Sequence, residues 1–175
     1  SGIGVDPGAV VNDPEALRRR VAWLIGRGYQ DGLIEEFIPF GEVTVWLIGN
    51  APPTVFPAIQ RPLDPSTRLS THVARRAVEG ICPVELTLAL EAAVGRMAKA
   101  VFEALGCRDL ARVDFRVDAE GRPWFLEMNP LPSFSPEEGF GLLGDVLGTT
   151  YRHLVGQVLE AARTRLQLEL SGRPR

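Results

Sequence analysis

Residues 111–136 read ARVDFRVDAEGRPWFLEMNPLPSFSP. Two runs of alternating apolar and polar residues, Ala111–Asp118 and Pro123–Asn129, flank the turn signal Ala119-Glu120-Gly121. That pattern predicts a β-hairpin running into a proline-rich loop. Alternation puts Val113, Phe115 and Val117 on one face and Arg112, Asp114, Arg116 and Asp118 on the other. In the return strand Trp124, Leu126 and Met128 share a face, opposite Phe125, Glu127 and Asn129. A tight turn at Glu120-Gly121 pairs Val117 with Trp124, Phe115 with Leu126 and Val113 with Met128. One face is then wholly apolar, and a slip by one residue would destroy it. The same register sets Asp114 opposite Glu127 and Arg112 opposite Asn129. Like charges directly opposite destabilise a sheet, their Cβ atoms being only about 4.5–5.5 Å apart. Relief comes from a cation between them, or from Arg112 and Arg116 on a solvated surface hairpin. Two carboxylates and an amide oxygen are hard ligands of the kind Mg²⁺ takes beside phosphate oxygens.

Arg112-Val113-Asp114 followed by Glu127-Met128-Asn129 and a Pro-containing loop resembles the core motif of the ATP-grasp carboxylate–amine ligases. Within them it is most similar to the D-alanine–D-alanine ligase group. The resemblance covers nearly the whole chain and implies an α+β ATP-grasp fold. Residues 1–57 would be part of the central nucleotide lobe, and residues 58–175 the C-terminal catalytic lobe with an antiparallel sheet packed by helices. It implies ATP-dependent amide formation through an acylphosphate, as in cell-wall precursor synthesis. Mg²⁺ or Mn²⁺ would sit on Asp114, Glu127 and Asn129, and Arg112 would steady the tetrahedral oxyanion. The loop that follows would shape the acceptor site, with Pro132, Ser133 and Glu138 at the substrate. The family loop has Gly near Ser133, so Ser there is expected to alter acceptor choice. The implied partners are small amino-acid-like substrates, and a homodimer is compatible with the resemblance.

Composition sets wider bounds. The 175 residues are 45% hydrophobic and 23% charged, enough for one core in one domain or two small lobes. A formal net charge of −3 gives no pull toward nucleic acid or membrane. Cys82 and Cys107 do not make a disulfide framework and are expected as reduced thiols in a cytoplasmic protein. Lys99 is the only lysine.

Ser1-Gly2-Ile3-Gly4-Val5 is glycine-spaced, as in loops whose backbone N–H groups approach phosphates. It resembles the second half of the family's phosphate loop, with Gly2 and Gly4 at the nucleotide. The chain is then expected to begin in mid-loop, with the usual N-terminal domain outside it. Asn12 or Asp13 caps a helix that carries Pro14 in its first turn. Its apolar stripe is Leu17, Val21, Leu24 and Ile25, with Arg18 to Arg20 on a solvated face.

Leu33–Ile38 and Glu42–Ile48 read as two strands joined by Pro39-Phe40-Gly41. They resemble the family's nucleotide hinge, which implies that Glu35, Glu36, Phe37 and Ile38 line the adenine and Glu42 takes the ribose hydroxyls. Thr54–Ile59 reads as one more strand. Residues 62–81 are polar and without period, as functional lids are. The family has a phosphate-contacting lysine there. Here His72 lies near the matching position, and Arg68, Arg75 or Arg76 could supply the charge. Pro83–Leu105 reads as the best helix, with Leu86, Leu90, Val94, Met97, Val101 and Leu105 inward and Gly106 at its end. Two further helices are expected near residues 136–147 and 151–168, the last with Leu154, Val155, Val158, Leu159, Ala162 and Leu166 inward.

Overall fold

The computed structural model describes residues 5–29, 31–71, 79–136 and 139–171. Helix α1 (Pro14–Gly26) begins as its sequence predicts. Asp13 is the N-cap, its carboxylate accepting from the Ala16 N–H at 2.7 Å, and Pro14 occupies the first turn. The expected stripe reaches no core, however: none of its residues is buried, and Ile25 is exposed. Arg20 is not merely solvated. It pairs with Asp6 at 2.9 Å and lies 4.2 Å over the Trp23 ring.

Five antiparallel strands make the one sheet seen among the described residues: β1 (Gly41–Gly49), β2 (Thr54–Val55), β3 (Ile59–Gln60), β4 (Asp109–Val117) and β5 (Pro123–Asn129). The order is β2-β1-β4-β5, with β3 also on β1. The strand expected at Thr54–Ile59 is therefore two short ones. Pro57 lies between them and has no N–H to give the ladder. Leu33–Ile38 is not a strand, and Leu33 and Ile34 are exposed. The chain there meets the sheet through its Ile38 carbonyl instead, which accepts from Arg116. β1 and β4 pair over their full lengths, from Gly41 opposite Val117 to Gly49 opposite Asp109.

Helix α2 (Leu88–Ala104) covers one face of this sheet. Leu90, Val94, Ala98 and Phe102 recur every fourth residue and pack on Val43, Val45, Leu47, Ala111, Val113, Phe115 and Val117. The helix starts at Leu88 rather than Pro83. Gln60 holds Val84 extended, accepting from its N–H at 2.9 Å and donating to its carbonyl at 2.5 Å, and Thr87 then caps the helix at the Leu90 N–H. Leu105, expected inward, is exposed beyond the last turn.

Helices α3 (Gly139–Leu147) and α4 (Tyr151–Ser171) cover part of the opposite face. Phe140, Leu143 and Leu154 pack there against Trp46, Ile48 and Leu110. Gly141 is required for the entry to α3, since a Cβ on it would stand 1.7 Å from the Pro136 carbonyl oxygen. Leu159 and Leu166, expected inward, are exposed. No helix among the described residues is long and apolar enough to cross a membrane.

Candidate active site

The half of the β1–β4–β5 face that α3 and α4 leave uncovered carries the chemistry. Register sets its rows. Glu42 stands opposite Arg116, Thr44 opposite Asp114, and Trp46 opposite Arg112. On the other side of β4, Asp114 faces Glu127 and Arg112 faces Asn129. The opposition of the two acids, expected from alternation alone, is thus present. At the turn end the expected register is not. A bulge between Asp114 and Phe115 leaves Leu126 as the extra residue, so Phe115 pairs with Phe125, Arg116 with Trp124 and Val117 with Pro123. Trp124 and Leu126 are consequently exposed rather than core, while Met128 keeps its place against the α2 side. The turn is wider than expected. Gly121 donates to the Asp118 carbonyl with φ +78°, and Asp118 N–H donates to the Arg122 carbonyl.

Asp114 is 2% exposed and is the hub of its row. Arg112 holds it side-on, Nε to Oδ1 at 2.9 Å and Nη2 to Oδ2 at 2.7 Å. The Thr44 hydroxyl donates to Oδ1 at 2.5 Å. Asn129 Nδ2 donates to Glu127 Oε1 at 3.0 Å and approaches Asp114 Oδ2 at 3.4 Å. One nitrogen within reach of both carboxylates marks the point on which they converge. Turning the Asn129 amide over would put its oxygen there in place of the NH₂. This donor set of two carboxylates and one amide oxygen suits Mg²⁺. Arg112 Nη2, 3.9 Å from Glu127 Oε1, supplies part of the relief in the structure as it stands. Arg116 supplies none, contrary to expectation. It pairs with Glu42 in the neighbouring row.

That neighbouring row is also buried. Arg116 Nη1 donates to Glu42 Oε2 at 3.0 Å, its Nε to the Ile38 carbonyl at 2.8 Å, and its Nη2 to the Arg68 carbonyl at 3.2 Å. Its guanidinium lies 5.2 Å from the Phe37 ring centre. Burial raises the Glu42 carboxyl above its ordinary range. Arg61 and Arg116 oppose that shift, and Asp114 adds to it. Burial likewise lowers Arg116, against the attraction of Glu42. Glu42 keeps acceptor capacity, because each carboxylate oxygen has two lone pairs.

The remaining expected residues fall as follows. Glu35, Glu36 and Phe37 are exposed, and Ile38 is half-buried. Pro132 is buried, and Ser133 is exposed with its Oγ accepting from the Ser135 N–H. The loop around them is anchored by Tyr151, whose hydroxyl donates to the Phe134 carbonyl at 2.5 Å. Gly2, Gly4, His72, Arg75, Arg76 and Glu138 lie outside the described residues. Sequence reasoning missed Thr44, Trp46 and Arg61 at this face. The signal available was the alternation of Glu42, Thr44 and Trp46 along one strand.

Comparison with known proteins agrees with this architecture. Residues 1–160 match the family described as D-ala D-ala ligase C-terminus. A D-alanine–D-alanine ligase of Pelotomaculum thermopropionicum is 32% identical over 133 residues, 74% of this chain and 41% of that protein. The D-alanine–D-alanine ligase of Coxiella burnetii superposes with a TM-score of 0.72 at 22% identity, covering 92% of this chain and 42% of that one. That of Bacillus anthracis, solved in complex with ATP, gives 0.63 at 23% identity over 86% of this chain and 48% of that one. The chain spans about half the length of the curated relatives it matches. It has their α+β ATP-grasp fold, and it belongs to the D-alanine–D-alanine ligase C-terminal family.

Proposed function

We propose that residues 1–175 carry the metal and part of the nucleotide site of an ATP-dependent ligase that joins two amino-acid-like substrates, with D-alanine as the first candidate for both. The observation that carries this reading is the convergence of Asp114, Glu127 and Asn129 beside Arg112, one row away from Glu42 and the Ile38 backbone. The ATP in the Bacillus anthracis relative supports the choice of nucleotide.

The chemistry follows from the placement. Glu42 accepts from the ribose hydroxyls, and residues 35–38 flank the base. Asp114, Glu127 and Asn129 would hold magnesium, which would supply positive charge for the phosphate oxygens. The first substrate's carboxylate attacks the γ-phosphorus and ADP leaves, giving an acylphosphate. The second substrate's amine attacks the acyl carbon, and the tetrahedral adduct expels phosphate as the amide forms. Arg112, held side-on to Asp114, would stabilise that adduct's oxyanion. The substrates approach past the loop carrying Pro132 and Ser133.

The test uses the full-length protein that contains these residues. ATP with D-alanine should release phosphate and give D-alanyl-D-alanine. Asp114→Asn and Glu127→Gln should each raise the Mg²⁺ concentration needed for ATP binding by at least about tenfold, as loss of a ligand charge requires. Superimposable Mg²⁺ titrations would sink the metal assignment. A second reading, a ligase for another amino acid or carboxylate, rests on Ser133 in the acceptor loop. A panel of D- and L-amino acids separates the two. ATP binding with no phosphate release from any of them would favour a nucleotide-binding module without catalysis.

A further inference from the structure

Three arginines share the polar half-face with three carboxylates, and they are not equally engaged. Arg116 is spent inward on the Ile38 carbonyl, Glu42 and the Arg68 carbonyl, and its side chain is 8% exposed. Arg112 is locked side-on to Asp114, with its side chain 14% exposed. Arg61 differs. It follows β3, and its N–H donates to the Glu42 carbonyl at 2.9 Å, which fixes its backbone beside β1. Its guanidinium stands 3.3 Å from Glu42 Oε1 and 3.9 Å from Asp114 Oδ2, with its side chain 23% exposed. These contacts are longer than those that hold Arg112 to Asp114 at 2.7 Å and Arg116 to Glu42 at 3.0 Å.

We propose that Arg61 binds the phosphate chain of the nucleotide, moving off Asp114 when the metal–nucleotide complex arrives. The inference rests on the nucleotide reading above and adds a residue to it. A nucleotide with its sugar at Glu42 and its metal-held phosphates at Asp114 must run its phosphates across the interval that Arg61 spans. The planar guanidinium fork matches phosphate oxygens in pairs. The charge balance explains the exchange. On this face Glu42, Asp114 and Glu127 balance Arg61, Arg112 and Arg116. With Asp114 and Glu127 engaged by a divalent cation, Arg61 would lose its weaker anchor, Asp114 Oδ2 at 3.9 Å. The incoming phosphates then offer the replacement anions.

The experiment measures calorimetric affinities of the full-length protein for Mg²⁺–ATP and for adenosine. Arg61→Gln should weaken Mg²⁺–ATP about tenfold or more and leave adenosine within about twofold, as for a lost charged hydrogen bond to phosphate. Arg61→Lys keeps the charge without the fork and should fall between wild type and Arg61→Gln. It also serves if the glutamine variant folds poorly. Equal weakening of ATP and adenosine would make Arg61 a prop for Glu42 and overturn the proposal, as would unchanged ATP affinity. Unmodified protein that binds neither ligand would instead overturn the nucleotide reading, and this inference with it.

Discussion

The face of the sheet shared by β1 and β4 has two halves that differ in everything but backbone. At one end Trp46, Ile48 and Leu110 are sealed under Phe140, Leu143 and Leu154. At the other, Glu42, Asp114 and Arg116 are also 8% exposed or less, yet no helix among the described residues covers them. Among the described residues they pair with one another and with Arg61, Arg112, Thr44 and the Ile38 carbonyl. The apolar half gains stability by excluding water. The polar half gains little, because the desolvation of paired charges offsets their attraction. Its partners are satisfied in position rather than strongly bound, which suits groups that must exchange contacts with a ligand.

The largest effect expected from breaking this contrast is in the apolar half. Phe140 is fully buried, its ring centre 4.9 Å from that of Trp46, 5.4 Å from Phe134 and 6.0 Å from Tyr151. Phe140→Ala should lower unfolding free energy by about 3–5 kcal/mol, measured by urea denaturation. It should also loosen the Tyr151–Phe134 anchor of the acceptor loop. A loss below about 1 kcal/mol would mean that α3 is not part of the cooperative core.

In the polar half, Arg116→Met should cost about 3 kcal/mol, because it leaves Glu42 buried with Arg61 as its remaining cation. The loss should depend on pH in a stated direction. Burial already raises the Glu42 carboxyl, so folding favours its protonated form. The loss caused by the substitution should therefore be smallest below the ordinary glutamate range and grow as pH rises through the folded value. Adding Glu42→Gln should restore much of what Arg116→Met removes. A loss independent of pH, unrelieved by the second change, would show that the Ile38 and Arg68 carbonyls, not Glu42, are what Arg116 serves.

The two halves were not equally legible in the sequence. Alternation named both faces of β4 and, for residues 127–129, of β5, and the Asp114–Glu127 opposition followed from it. It could not show the bulge at Leu126, since an extra residue in one strand leaves the local pattern of each run intact. The pairing of β1 with β4 joins residues some 70 positions apart, and nothing local records it. Without it Arg116 looked like a neighbour of Asp114 alone, when its direct partner is Glu42. Arg61 was invisible for the same reason: it lies just past a two-residue strand, too short to carry a period. The helix α1 stripe was legible as a pattern but not as burial, because a period shows which side is apolar and not what covers it.

The smallest effect separates Asp114 from Asp118, the same residue type on the same side of the strand's alternation but at the turn. Asp118 lies just beyond Val117, the last paired residue of β4. Its Oδ2 accepts from Arg122 Nε at 2.7 Å and Trp124 Nε1 at 3.0 Å, and its Oδ1 from the Arg122 N–H at 2.8 Å. Partial burial would raise its carboxyl, but these donors from Trp124 and Arg122 outweigh that and hold it at about 2. In the unfolded chain it returns to the ordinary value of 3.8. As pH falls, the unfolded state therefore takes up the proton first. The contribution of Asp118 is complete above about pH 4 and drains away toward about pH 2. Asp64, also held at about 2 by the Ser66 hydroxyl and the Thr67 N–H, loses its contribution over the same window, so acid melting of the unmodified protein reports both. The difference in melting temperature between pH 6 and pH 3 should accordingly shrink in Asp118→Asn without vanishing. It should shrink further when Asp64→Asn is added. Mg²⁺–ATP affinity at pH 7 should not move in Asp118→Asn. An unchanged melting difference would show that the turn does not hold its carboxylate ionised. A change in nucleotide affinity would extend the functional face of β4 to its outer end.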